Sequence, residues 1–592
     1  MSRDFAVWAP DARVVELVLG GGAVPMDADE RGWWRTTVDD APAGTRYAFT
    51  VDGGPPRPDP RSTWQPDGVE GTSAVVDHDA FPWSDLGWRG VPLRGAVLYE
   101  LHIGTFSPEG TFDGAIERLD HVVALGVDAV EVMPVAEFPG TRGWGYDGVD
   151  LFAPHHAYGG PDGCKRFVDA CHARNLGVVL DVVYNHVGPS GNYLAEFGPY
   201  FSDRHRTNWG QAVNFDGPGS DEVRRLVVDN ARMWLEQYHM DGLRLDAVHA
   251  IVDQSARHIL RELSDEIDAC ATRVGRPLFL VAESDRNDPR VVRSPDAGGL
   301  GMDAAWADEW HHALHATLTG ERDGYYEEFG SLPCLAKALR QAWVFDGQWS
   351  AHRRRHHGAP PTGLRGHQFV VCTQNHDQVG NRALGERSSV LLSDGRLRVA
   401  AALLCSSPFV PMLFAGEEWG ASTPFEYFTD HHDPGLGEAV SKGRRQEFAA
   451  FGWDPASVPD PQDPATFARS KLDWDEPARA GHAALLDWYR RLIALRREVP
   501  ALADPRLSTI DVRMDEQAST LVVRREGGVS VAVNLGDDGA VVLFCDLFAA
   551  DDGCEGATRA QAVLLAASDP AVELRGDGVT VPPDAAVVLR RR

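Results

Sequence analysis

Residues 242–249 read GLRLDAVH. Side chains along a β-strand alternate faces with period two, so Leu243 and Leu245 share one face and Arg244 and Asp246 the other. If both faces are covered, two charges lie inside. Three further stretches carry an apolar run into polar or ionisable residues: GVVLDVVYNH (177–186), PLFLVAES (277–284) and FVVCTQNHD (369–377). Between them lie segments of helical periodicity, PDGCKRFVDACHARN (161–175), DEVRRLVVDNARMWLEQYH (221–239) and SARHILRELSDEIDACATR (255–273). Nearly continuous apolar strands alternating with amphipathic helices indicate a parallel sheet covered on both faces.

AVLYELHIG (96–104), AVEVMPV (129–135) and PMLFAGEEW (411–419) extend the series, and the count approaches eight β/α units. That predicts a multidomain chain around a central α/β TIM (β/α)8 barrel. The barrel is expected over 93–502. Its longest inserted loop is 187–219, rich in Gly, Pro, Asn and aromatics, and its last helix lies near 482–499. Short β-type runs (Phe5–Trp8, Val14–Leu19, Trp33–Val38, Arg46–Val51) predict an N-terminal β-sandwich over 1–92, with a Pro-rich loop at 54–68 and a linker at 82–95. TLVVRR (520–525) and VSVAVNL (529–535) predict a C-terminal β-sandwich over 503–592.

The bulk numbers narrow the class. The 592 residues carry 57 Lys plus Arg against 87 Asp plus Glu, a formal net charge of −30. Such a surface repels nucleic acid and anionic lipid, so neither is expected as a partner. Eight cysteines without CxxC spacing argue against a disulfide framework or structural zinc. The start, MSRDFAVWAP, lacks an apolar signal core, and no run of about 18 apolar residues suggests a membrane span. The expected compartment is a reducing cytoplasm.

A TIM barrel places its chemistry at the C-terminal ends of its strands. There the sequence puts Asp181 and Asn185-His186, then Arg244, Asp246 and His249, then Glu283, and finally Asn375-His376-Asp377. Any one of these taken alone reads more readily as a helix cap or a satisfied polar residue than as a functional group; their recurrence at successive strand ends does not. The inward charges are expected to face a solvated pocket at the mouth. Glycoside hydrolysis needs one ionised carboxylate and one carboxylic acid. Asp246, with Arg244 two residues away on its face, suits the nucleophile. Glu283, in an apolar strand with no cation near it in sequence, suits the acid. Asp377 is left to hold substrate hydroxyls or to oppose charge on the sugar ring.

DVVYNH, GLRLDAVH, LVAES and NHD resemble, in order, the four signature regions of the α-amylase superfamily. The resemblance implies a retaining (β/α)8 hydrolase with Asp246 as nucleophile, Glu283 as general acid/base and Asp377 as transition-state stabiliser. It implies that Arg244 orients Asp246, that His186 and His376 bond the sugar at the cleavage point, and that Tyr146 floors it. Within the superfamily the chain is most similar to maltooligosyltrehalose trehalohydrolases, through YELHIGTFSPEGTF, NHVGPSGNYLAEFGPYF, NWGQAVNFDGPGS, DEWHHALHATLTGERDGYYEEF and FAGEEWGASTPF. That implies a maltooligosyltrehalose substrate and a link to a maltooligosyltrehalose synthase. The N-terminal sandwich resembles the module shared with glycogen branching and debranching enzymes. A glycogen branching enzyme is the alternative on the same fold; a non-catalytic barrel that has kept all three acids is the remote one. His249 joins the substrate-binding set, and Trp209, Asp308 and Glu309 are candidates for recognising the trehalose end. The basic run His352–His357 reads as a solvated loop. Asn185 resembles a calcium-ligand position, but the remaining ligands cannot be assembled, so no metal and no cofactor are expected.

Overall fold

A computed structural model describes residues 2–449, 457–548 and 562–592. Eight parallel strands close into a barrel. They are β1 Leu98–Leu101, β2 Ala129–Val132, β3 Gly177–Val182, β4 Gly242–Leu245, β5 Phe279–Ala282, β6 Ala304–Trp306, β7 Phe369–Cys372 and β8 Val410–Phe414. β6 has only three residues and no long apolar run, and it is the strand whose sequence signal is weakest. It is held by a parallel ladder on each side, to β5 and to β7.

The barrel resolves the two faces of the opening stretch. Leu243 and Leu245 pack into the outer layer with the helices. The barrel interior is a separate apolar cluster of Leu98, Ala129, Val179, Phe279, Val281, Trp306, Val370 and Met412. Arg244, out of phase with the two leucines, therefore points inward. In the β3–β4 register Asp181 stands directly opposite Arg244. The interior is thus apolar below and charged above.

Gly242 opens β4 because the wall is crowded there. A Cβ at this position would lie 2.6 Å from the Phe279 ring and 2.8 Å from its carbonyl oxygen. The segment 82–95, expected as a linker, carries no helix or strand but is firmly docked. Val91 and Leu93 join the interior cluster and close the barrel floor. The Trp88 indole donates to Asp241 at 2.8 Å, and Asp85 takes hydrogen bonds from His172 and His239, both at 2.8 Å.

Two sheets precede the barrel. Arg3–Trp8, Trp33–Val38 and Asp27–Ala28 form one; Gly22–Pro25, Val15–Leu19, Arg46–Val51 and Ser73–Ala74 form the other. Trp8 packs edge-on against Tyr200 of the inserted loop, with ring centroids 5.3 Å apart. Arg57 makes a bidentate pair with Glu196 of the same loop, both contacts at 2.8 Å. The insertion is therefore braced from outside and carries an antiparallel hairpin, Phe201–Thr207 with Gly210–Val213. After the barrel, a five-stranded and a three-stranded sheet face each other around Val522, Phe544, Val579 and Val587. An Arg396–Asp584 ion pair at 3.0 Å ties this unit to the helix Asp394–Cys405.

Gly242→Ala should destabilise the chain by about 1–3 kcal/mol, the range for overpacking a filled core. Urea unfolding against the wild type measures it; an unchanged midpoint would mean that β4 and β5 have room to separate.

Candidate active site

Arg244 is the centre of the site and is only 1% exposed. Its Nη1 donates to Asp181 Oδ1 and Oδ2 at 2.8 and 2.7 Å and to Asp246 Oδ1 at 2.9 Å. Its Nη2 lies 3.0 Å from Glu283 Oε2. Its guanidinium carbon sits 4.1 Å from the centre of the Trp306 ring. One cation thus holds three carboxylates from three adjacent strands and stacks on a residue of β6. Two expectations change. Arg244 and Asp181 do not face solvent; their charges are tolerated because they neutralise each other in good geometry. Glu283, without a cation near it in sequence, has one in space.

Asp246 follows β4 directly. Its Oδ2 accepts from Asn185 Nδ2 at 2.6 Å, and the same amide donates to the Asp246 carbonyl at 3.0 Å. With Arg244 on Oδ1, the carboxylate is fixed at both ends. The next residue, Ala247, has φ 39°, a left-handed conformation costly for a residue with a Cβ. That turn aims the Ala247 N–H at Glu283 Oε2, at 2.7 Å. Burial pushes the Glu283 carboxyl well up; Arg244 opposes this, and Asp246, Asp377 and Asp308 add to it. An acid held protonated in this way can donate.

A second chain of contacts enters from β1 and β7. Glu100, at the end of β1, takes His376 Nδ1 at 2.6 Å and the His376 N–H at 2.9 Å. His376 Nε2 lies 2.8 Å from the Tyr146 hydroxyl, which donates to Asp181 Oδ2 at 2.6 Å. Burial alone would lower the His376 pKa; the Glu100 charge overcomes it and takes it to about 9. A continuous network therefore runs from Glu100 through His376, Tyr146 and Asp181 to Arg244 and Asp246. Asp181 itself is pushed by burial to about 6, against the pull of Arg244. Asp377 is steadied by Asn381, which donates to its Oδ1 at 2.5 Å.

The remaining candidates separate. His186 bonds Asn185 Oδ1 at 2.6 Å and the Tyr146 carbonyl at 2.9 Å, and Trp209, 49% exposed at the hairpin tip, stacks over it with ring centroids 5.3 Å apart. The insertion thus brings an open aromatic face to the mouth. Asp308 begins the helix Asp308–Thr319 and accepts from Gln378 at 3.4 Å. Burial, then the Asp377 charge, takes its carboxyl to about 7. Glu309 is different from expectation. Its Oε2 is taken by the Val344 and Phe345 N–H groups at 2.7 and 2.8 Å, so it anchors a loop and does not offer that oxygen to a ligand. His249 keeps a buried Nδ1 without a partner among the described residues, and burial lowers its pKa.

The run His352–His357 also departs from a simple solvated loop. It spans the turn and the second strand of a small hairpin, Trp349–Ser350 with Arg355–His356. Arg353 folds inward to Asp285, two residues beyond Glu283, at 2.9 Å, and His357 is buried. Glu100, Trp306 and Arg353 were not among the candidates. Glu100 stands at a strand end and was open to the same reading as Asp246; Trp306 and Arg353 come close only through the fold.

Asn185 makes a poor cation ligand here, because its oxygen already faces His186 and its amide is spent on Asp246. Elsewhere Glu137, His155 and His156 bring ligand atoms within 4.8 Å of one another. The Ala157 N–H donates to His155 Nδ1 at 3.2 Å, which puts that ring's proton on Nε2, facing the Phe138 carbonyl at 3.2 Å. His156 Nδ1 is taken by Glu137 at 2.6 Å. The trio is a closed hydrogen-bonded group.

The network predicts a pH signature. His376 has a folded pKa above its ordinary 6.5, so its pair with Glu100 stabilises fully below about pH 6.5 and is lost as pH rises through about 9. Calorimetry should find Glu100→Gln less stable than wild type at pH 6 and the gap narrowed at pH 10; a constant gap would mean that His376 is not the titrating partner.

The chain matches the family descriptions "Alpha amylase, catalytic domain" over residues 62–209 and "Carbohydrate-binding module 48 (Isoamylase N-terminal domain)" over residues 2–62. It is 55% identical over 540 residues to the malto-oligosyltrehalose trehalohydrolase of Arthrobacter ramosus, covering 90% of this chain and 93% of that one. The corresponding protein of Rhizobium sp. (strain M-11) is 49% identical, covering 99% and 97%. A crystal structure titled as a putative alpha amylase from Salmonella typhimurium superimposes with a TM-score of 0.89 at 39% identity, covering 100% of this chain and 98% of that one. A 1,4-alpha-glucan branching enzyme of Pseudoalteromonas atlantica reaches 30% identity over 52% of the chain and 49% of its own length. No described helix is long and apolar enough to cross a membrane. With such identity sustained over nearly the whole length of both partners, the chain belongs to the malto-oligosyltrehalose trehalohydrolase family, on a catalytic barrel of the α-amylase type.

Proposed function

We propose that the chain is a retaining glycoside hydrolase that cleaves the α-1,4 bond next to the terminal trehalose unit of a maltooligosyltrehalose, releasing trehalose and a maltooligosaccharide. The observation that carries this reading is the single Arg244 guanidinium holding Asp246 and Glu283 side by side, at 2.9 and 3.0 Å. Asp246, ionised and fixed by Arg244 and Asn185, attacks the anomeric carbon of the glucosyl unit. Glu283 gives its proton to the departing trehalose oxygen, and its Oε1, free of the Arg244 and Ala247 contacts, is the oxygen suited to carry it. Water then enters; Glu283, now ionised, takes its proton, and the bond to Asp246 is broken with retention.

Asp377 opposes the positive charge that develops on the ring between these steps. His186 and His376, whose ring nitrogens are taken by Asn185, Glu100 and Tyr146, form the wall beside the same unit instead of bonding its hydroxyls, and the Tyr146 ring lies beneath it. Trp209 supplies an apolar face for a sugar ring, and Asp308, beside Asp377, faces the departing trehalose. Residues 1–92, 93–502 and 503–592 act as glucan-docking module, catalytic barrel and closing sandwich. The substrate must come from a reaction that converts a reducing end into a 1,1-linked one, as a maltooligosyltrehalose synthase does, and both belong in the cytoplasm. A branching transferase would use the same acids; the sustained similarity to trehalohydrolases and the half-length match to the branching enzyme favour hydrolysis.

Product analysis tests this. Maltotriosyltrehalose should give trehalose and maltotriose, with plain maltopentaose cut slowly; longer or branched products without trehalose would move the chain to the transferases. Glu283→Gln should lower turnover by about 10²–10⁴-fold, the range for general acid catalysis, with the fold intact by circular dichroism. Trp209→Ala should raise KM for the trehalose-ended substrate by about 5–50-fold, corresponding to about 1–2 kcal/mol of lost stacking; an unchanged KM would remove Trp209 from the binding surface.

A further inference from the structure

Glu131 lies on β2 inside the barrel, 1% exposed, and neither of its carboxyl oxygens has a hydrogen-bond partner among the described residues. In the ladders it stands opposite Glu100 on β1 and Val179 on β3. That is one inward-facing layer below the rung on which Asp181 meets Arg244. The groups that bear on it are Glu100 from β1, Asp181 from β3, Arg244 from β4, Cys372 from β7 and His376 just beyond β7.

Both cations there are committed elsewhere. His376 directs its two ring nitrogens at Glu100 and Tyr146. Arg244 directs Nη1 at Asp181 and Asp246, and Nη2 at Glu283. The Arg244 Nε–H has no hydrogen-bond partner among the described residues. An ionised Glu131 would add a third carboxylate beside Glu100 and Asp181 with no donor of its own, and an unpaired buried charge is among the costliest features a core can hold. A neutral side chain of the same shape adds no such cost.

We propose that Glu131 is a positioning residue, carried as a neutral carboxylic acid, which fills the barrel beneath Arg244 without drawing that cation away from Asp181, Asp246 and Glu283. The proposal deepens the roles assigned above to Arg244, Asp246 and Glu283 and rests on them. Burial, and then the Glu100 charge, put the Glu131 carboxyl at about 8, with Arg244 opposing. Ionisation above that range would pull on Arg244 and loosen the carboxylates it holds.

The test uses two readouts that need no turnover, so they hold or fail separately from the proposed reaction. The infrared difference spectrum of wild type minus Glu131→Gln at pH 7 should contain the C=O stretch of a protonated carboxyl. Second, an acid raised from 4.5 to about 8 weakens the fold progressively across that interval, whereas Gln does not titrate. The Tm of Glu131→Gln relative to wild type should therefore climb between pH 5 and pH 9, by about 3 °C. Absence of the infrared band together with a pH-independent Tm difference would overturn the proposal. Should Glu131→Gln not fold, Glu131→Asp keeps the acid one methylene shorter. Its protonated-carboxyl band should be shifted from that of wild type, and an identical band would equally overturn it.

Discussion

Everything at the mouth of the barrel depends on one cation with nowhere else to go. Arg244 is enclosed, with its guanidinium carbon over the Trp306 ring, and flanked by Asp181, Asp246 and Glu283. A buried guanidinium requires acceptors, and buried carboxylates require donors; each makes the other tolerable. The arrangement also limits rotamer freedom, because Asp246 is gripped at one oxygen by Arg244 and at the other by Asn185. Catalytic carboxyls gain from being held in one geometry before substrate arrives. Here that order is obtained from the same contacts that make the interior electrically acceptable.

The interior is stratified, and the layers have different tasks. Val91, Leu93, Leu98, Val179 and Phe279 make an apolar floor. Above them the strands end in Glu100, Asp181, Arg244, Asp246 and Glu283. The left-handed turn at Ala247 belongs to this upper layer: it ends β4 abruptly and swings a backbone N–H onto Glu283. Backbone strain persists where the surroundings over-determine it. In this case ladders on both sides of β4 fix the approach, and the Glu283 oxygen fixes the departure.

Much of this was legible in the residues. Strand phase alone placed Arg244 and Asp246 on one face, and the order of strand ends placed Asp181, Asp246, Glu283 and Asp377 at one rim. What escaped reading did so for identifiable reasons. β6 is three residues long, too short to show a period. Glu100 and Glu131 alternate with apolar neighbours as Arg244 does, but a single acid in a strand has many readings until its neighbours are known. Glu309 looked like a twin of Asp308; helical geometry turns adjacent side chains about 100° apart, and it ends on the backbone of 344–345.

The chain by itself determined the architecture and the kind of chemistry, because hydrophobic period and the residue type at each strand end are local properties. Only the tertiary structure decided how the charges are shared. That Glu283 lies on a cation, that His376 is held charged by Glu100, that Arg353 reaches Asp285 and that Trp209 covers His186 all follow from contacts between residues far apart in sequence. Such contacts depend on barrel closure and loop bracing, which set distances that spacing along a chain does not contain. Charge interactions fall with distance and rise with burial, so the protonation states on which the reaction turns are properties of the fold.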